Sequence, residues 1–140
     1  MLVFVYGTLT EPERVATVLG HGPADAAEAF VGRATLEGLH RVEGRYPTLA
    51  PAGSVAGRLL AVDEAGLSTL DEYEGVEAGL YARVEVPVEG VFDGFDERCW
   101  VYVGDPDRLD ADVTWPGDGS FRDRVRRVVS ERDAVVRSHE

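Results

Sequence analysis

Four residue types are missing from this chain altogether: lysine, asparagine, glutamine and isoleucine. One cysteine, Cys99, is present, so no internal disulfide can form, and no metal-ligand spacing surrounds it. The three histidines, His21, His40 and His139, stand far apart on expected loops, a strand edge and the tail. A histidine-based triad or a zinc site therefore has no support. No apolar run approaches the roughly 20 residues that cross a bilayer as a helix. No basic-then-apolar leader is recognised ahead of Leu2-Val3-Phe4-Val5, and the cytoplasm is the expected compartment.

The absence of lysine leaves 14 arginines against 26 acidic residues, a formal net charge of -12. No basic stripe exists to neutralise phosphates, which argues against a nucleic-acid partner. Strong self-repulsion of this kind is relaxed by salt. Two readings stay open: a surface adapted to high salt, or an ordinary acidic cytosolic protein. Hydrophobic residues make up 44% of the 140, enough to exclude a disordered chain. At this length about two thirds of the unfolded surface can be buried in one core, so a single domain over 1–140 is expected.

Apolar, β-branched residues 2–6 predict a buried strand ending at Gly7. Thr10-Glu11-Pro12-Glu13 has the form of a capping box and predicts a helix over about 11–19, closed by Gly20-His21-Gly22-Pro23. "FVGRATLEGLHRVE" predicts one or two strands with glycine breaks, and "VAGRLLAV" another. Asp63 is the expected N-cap and Gly75 the stop of the next helix. "YARVEVPVEGVF", the turn "DGFD" and "ERCWVYVG" predict a β-hairpin. "FRDRVRRVV" places apolar residues at helical spacing, so a packed closing helix is expected over roughly 120–137. Five to seven strands with three scattered helices do not alternate as a doubly wound sheet does. Apolar residues on both faces of "CWVYV" favour a small, strongly bent or closed sheet with helices outside it.

Three features bear on chemistry. Leu67, Leu70 and Glu74 share one stripe of the helix beginning at Asp63, whereas Glu72 points to the opposite side. A position that should bury an apolar residue thus carries a carboxylate, at a helix C-terminus whose dipole disfavours negative charge. Burial and dipole both raise a carboxyl pKa toward the range of a general base at neutral pH. The alternative is a frayed helix end with Glu74 in water. Second, Gly7 permits positive φ and close approach, and the amides of Gly7, Thr8 and Leu9 can hold a carboxylate or carbonyl oxygen. An ordinary strand-to-helix corner would look the same. Third, Tyr81 and Arg83 share a strand face and could clamp a polar ligand, although pairing of Arg83 with an acid is the better reading. Tyr46-Pro47 reads as a rigid strand entry.

Tyr6-Gly7-Thr8-Leu9 after a short N-terminal strand resembles the YGTL/YGSL signature of the gamma-glutamyl cyclotransferase-like family. Residues 46–83, with Tyr46-Pro47, the strand ending in Val62-Asp63, "LDEYEG" and "LYAR", resemble that family's second block. The likeness covers most of residues 2–105 and is nearest to the cyclotransferases of gamma-glutamylamines and their small bacterial and archaeal relatives. It implies an α+β fold, a small mixed or antiparallel β-barrel flanked by short helices. It also implies a catalytic carboxylate at Glu74, a substrate-holding turn at Tyr6, Gly7, Thr8 and Leu9, and Tyr81 on the pocket wall. The implied reaction needs no metal or cofactor: a small gamma-glutamyl amide cyclises to 5-oxoproline and frees an amine. A non-catalytic binder of glutamyl ligands, an amidohydrolase releasing glutamate and a structural partner protein remain as alternatives. The leaving amine is expected to lie against loops 23–29 and 105–120.

Overall fold

The computed structural model describes residues 1–20, 28–89 and 98–138. Six strands, β1 (Leu2–Val5), β2 (Phe30–Val42), β3 (Thr48–Ala61), β4 (Tyr81–Glu89), β5 (Arg98–Gly104) and β6 (Val135–Ser138), close a barrel in the order β1-β3-β2-β6-β4-β5. Two pairings are parallel, β1 with β5 and β4 with β6, and the remaining four are antiparallel. Among the described residues it is accompanied by the helices α1 (Pro12–Leu19), α2 (Glu64–Tyr73), α3 (Pro106–Leu109) and α4 (Phe121–Glu131). No described helix is long and apolar enough to cross a membrane.

Strand alternation explains why both faces are apolar. Leu2 and Phe4 point into the barrel core with Cys99, Val101 and Val103. Val3 and Val5 point outward, where Tyr102 joins them under Val15 of α1 and Leu67 and Leu70 of α2. The barrel thus has a filled interior and a second apolar layer beneath α1 and α2. Val125, Val128 and Val129 of α4 pack with the interior set, as expected from their helical spacing.

Several expectations are corrected. The capping box does not form: the N-cap of α1 is Glu11, with no side-chain cap bond. Thr10 belongs to a 3-10 turn over Thr8–Thr10, and its hydroxyl donates to Gly7 O at 2.6 Å. The region 30–42 is one strand, bent at irregularities near Gly32 and Gly38, which is how a 13-residue strand follows a tight barrel. β3 begins at Thr48, well before the expected stretch. The closing helix is shorter than predicted. It ends at Glu131; Asp133 turns the chain with φ 50°, and Val135–Ser138 runs as β6. The expected turn at 93–96, His21, His139 and most of the 23–29 loop lie outside the described residues.

Gly57 decides how β1 meets β3. A Cβ there would lie 2.2 Å from Val5 O and 2.7 Å from the Phe4 ring. Those atoms belong to the two residues before Tyr6, so the close approach lies next to the turn. Gly57→Ala is expected to lower stability by about 1–3 kcal/mol, measured as a shift in urea midpoint. An unchanged midpoint would show that β1 relaxes freely.

Candidate active site

The site forms where β1 gives way to the turn and α2 ends beside it. Asp63 caps α2 by accepting from Gly66 N–H at 2.7 Å. At the other end, Gly75 N–H donates to Glu72 O (3.1 Å) and Val76 N–H to Asp71 O (3.0 Å). Gly75 takes φ 65°. This pair of bonds is a Schellman motif with Glu74 as the C-cap. The helix end is therefore tied rather than frayed, and the solvent-facing alternative for Glu74 is removed. Leu67 and Leu70 are buried while Glu72 is exposed, as the stripe required.

Glu74 lines a cavity of ≈340 Å³, within the ordinary size for a small-molecule site. Tyr6, Gly7 and Leu9 line it from the turn, Tyr81 and Tyr102 from the barrel, and Arg14 from α1. Tyr46 and Tyr73, the two large exposed hydrophobic residues among those described, line it as well. Burial raises the Glu74 carboxyl from 4.5 to about 7.

The buried phenols around Glu74 are committed elsewhere. Tyr6 OH donates to Tyr102 O (2.5 Å), Tyr81 OH to Pro47 O (2.6 Å) and Tyr102 OH to Asp71 Oδ1 (2.7 Å). Burial is the largest influence on each and pushes each above the ordinary phenol range, with Glu74 adding to it. They stay protonated and act as walls and struts. Glu74 is then the group in this cavity with a proton to exchange near neutrality.

The turn differs from expectation in one respect. Gly7 does not have positive φ, and a Cβ there would only touch Pro47 at 3.8 Å. Its value is the small surface it presents to the cavity. The turn's own bond, Thr10 N–H to Gly7 O at 3.1 Å, uses none of the N–H groups of Gly7, Thr8 or Leu9.

Tyr81 and Arg83 do not form a clamp. Arg83 is drawn to Asp71 (3.2 Å) and lies over the Trp100 ring (4.4 Å), and it does not line this cavity. The segment 105–120 does not line it either; Asp105 and Ser120 border a separate depression beside Tyr81. His40 is exposed and bonded through Nδ1 to Ala52 O. Among the described residues no group of three or more His, Cys, Asp or Glu is arranged to hold a metal ion. Sequence reading missed Arg14, Tyr73 and Tyr102 as cavity residues. Tyr73 had a usable signal, being adjacent to Glu74 at a helix end. Arg14 and Tyr102 had none, because helix packing and barrel closure bring them there.

The family described as "Gamma-glutamyl cyclotransferase, AIG2-like" matches residues 3–123. AIG2-like protein C of Arabidopsis thaliana is 41% identical over 115 residues, 75% of this chain and 62% of the plant protein. The chain thus spans less than two thirds of that relative's length. Among solved structures, an AIG2-like protein of Mus musculus is similar with TM-score 0.56 at 28% identity, over 84% of this chain and 87% of the mouse chain. One named gamma-glutamyl cyclotransferase has TM-score 0.63 over 94% of this chain and 79% of its own, a likeness of fold alone at 20% identity. Closed barrel, matched residues and relatives agree: the chain belongs to the gamma-glutamyl cyclotransferase, AIG2-like family.

Proposed function

We propose that this protein cleaves a gamma-glutamyl amide by internal cyclisation, giving 5-oxoproline and a free amine. The observation that carries this is Glu74, tied at the end of α2, raised to about 7 by burial and sharing a cavity with the 6–9 turn. Near neutrality a useful fraction of Glu74 is ionised, and it takes a proton from the substrate's α-ammonium. The freed amine attacks the γ-carbonyl carbon, closing a five-membered ring. Glu74 returns that proton to the leaving nitrogen as its bond to carbon breaks, then carries the ring nitrogen's second proton to the released amine, which departs as an ammonium ion. Atoms and charge balance without a co-reactant.

The attack is intramolecular, so the cavity's main task is to hold the glutamyl chain folded. Amides of Gly7, Thr8 and Leu9 serve as neutral donors to the substrate's oxygens. Tyr46 and Tyr73 place apolar surface where the leaving amine would exit. Incubating the protein with a panel of gamma-glutamyl amines and dipeptides, at low and molar salt, and following 5-oxoproline tests the reading. Release of free glutamate instead would mark an amidohydrolase; ligand-induced stabilisation without product would mark a binding protein.

A further inference from the structure

The cavity's side chains include one carboxyl, Glu74, and one guanidinium, Arg14. Two other arginines near the turn are already engaged. Arg41 bonds Glu43 through Nε (2.8 Å) and Tyr6 O through Nη1 (2.9 Å). Arg58 Nη1 donates to Thr10 O (3.1 Å) and its guanidinium stacks on Phe30. Among the described residues Arg14 makes no ion pair within 4.0 Å. It is exposed, the third residue of α1, and lines the cavity together with Tyr6, Gly7 and Leu9 of the turn that leads into that helix.

A gamma-glutamyl compound carries an ammonium and a carboxylate on one carbon. If Glu74 receives the ammonium, the carboxylate must enter the same cavity without meeting a second negative charge. The protein's net charge of -12 works against it. Neutral amides of the turn orient that carboxylate but do not offset the repulsion; a cation within a few ångströms does. We propose that Arg14 is the counter-charge for the substrate's α-carboxylate and fixes which way round the glutamyl group lies. The idea rests on the cyclotransferase reading for its substrate and adds a residue and a polarity to it. Arg14 works as a positioning residue and takes no part in proton transfer. Its contribution is present equally in the bound substrate and the transition state, so it appears in KM and not in kcat.

The test compares wild type with Arg14→Ala, Arg14→Lys and, as a control of equal charge change at an exposed position on β2, Arg33→Ala. Two substrates are used, a gamma-glutamyl alkylamine and a gamma-glutamyl dipeptide, which differ by a carboxylate on the leaving group. Arg14→Ala is expected to raise KM about 10–100-fold for both, with kcat changed little. Arg14→Lys should recover part of the loss, and Arg33→Ala should match wild type. Calorimetric titration with 5-oxoproline, which keeps the α-carboxylate, should show the same weakening in Arg14→Ala. Unchanged KM for both substrates overturns the proposal. So does a rise confined to the dipeptide, which would assign Arg14 to the leaving group, or a fall in kcat alone. If wild type gives no turnover, the cyclotransferase reading fails by itself, and Arg14-dependent binding of 5-oxoproline still supports the anchoring role. Binding that ignores Arg14, or no binding at all, overturns it.

Discussion

Glu74→Gln is expected to lower 5-oxoproline release by about 10²–10⁴-fold while leaving the protein folded. Glutamine keeps the size and the backbone of the C-cap but cannot exchange a proton. The same carboxyl sets a pH profile. Because it is raised to about 7, kcat/KM of wild type should fall about tenfold per pH unit below that value, as the base becomes protonated. A residual activity in Glu74→Gln within a few-fold of wild type would end the proposed mechanism.

The substitution should also stabilise the protein at alkaline pH. The folded-state carboxyl binds its proton more tightly than the unfolded one, whose ordinary value is 4.5. Stability is therefore greatest below 4.5 and declines as pH rises from there to about 7, where the native state must hold a desolvated charge. The full difference corresponds to at most ~3 kcal/mol, reduced by solvent access to a half-buried group. Glu74→Gln escapes that penalty. Its melting temperature should exceed wild type's at pH 8 and match it at pH 4. A wild type as stable as Glu74→Gln at pH 8 would mean that the carboxylate is well solvated, which removes its fitness as a base.

Val136→Asp is expected to unfold the protein. Val136 is fully buried and its backbone sits between two neighbours, paired with Leu36 of β2 and with Val88 of β4. Its side chain belongs to the barrel's interior cluster. A carboxylate there has no cation within the core and costs several kcal/mol. That is comparable with the whole stability of a small domain, about 5–15 kcal/mol. Loss of the barrel's circular dichroism signal and of cooperative urea unfolding would register it. Ser138→Asp, at the half-buried end of the same strand, should cost far less. A folded Val136→Asp with wild-type urea midpoint would show that β6 does not close the sheet.

Val136 marks a boundary between what local pattern can and cannot reveal. Phe121, Val125, Val128 and Val129 recur at helical spacing, and with nothing local to stop it the closing helix was expected to run to about 137. The helix instead ends at Glu131, the chain reverses at Asp133 and supplies the strand that both β2 and β4 lack. Only a barrel missing one strand gives Val135 and Val136 a better place than a helix face. Arg83 shows the converse. Its sharing of a face with Tyr81 was legible, but Asp71 and Trp100, distant in the chain, decided that it turns away from the cavity.

By itself the sequence determined the buried first strand, the α2 stripe with a carboxylate where a leucine belongs, and the family. These depend on residues within one or two turns of each other, where period and capping act. Tertiary structure alone decided that Glu74 is largely desolvated, that the phenols beside it are engaged, and that Arg14 reaches the cavity with no ion pair among the described residues. Desolvation and hydrogen-bond partnership are set by what packs from other elements, and no local spacing encodes that.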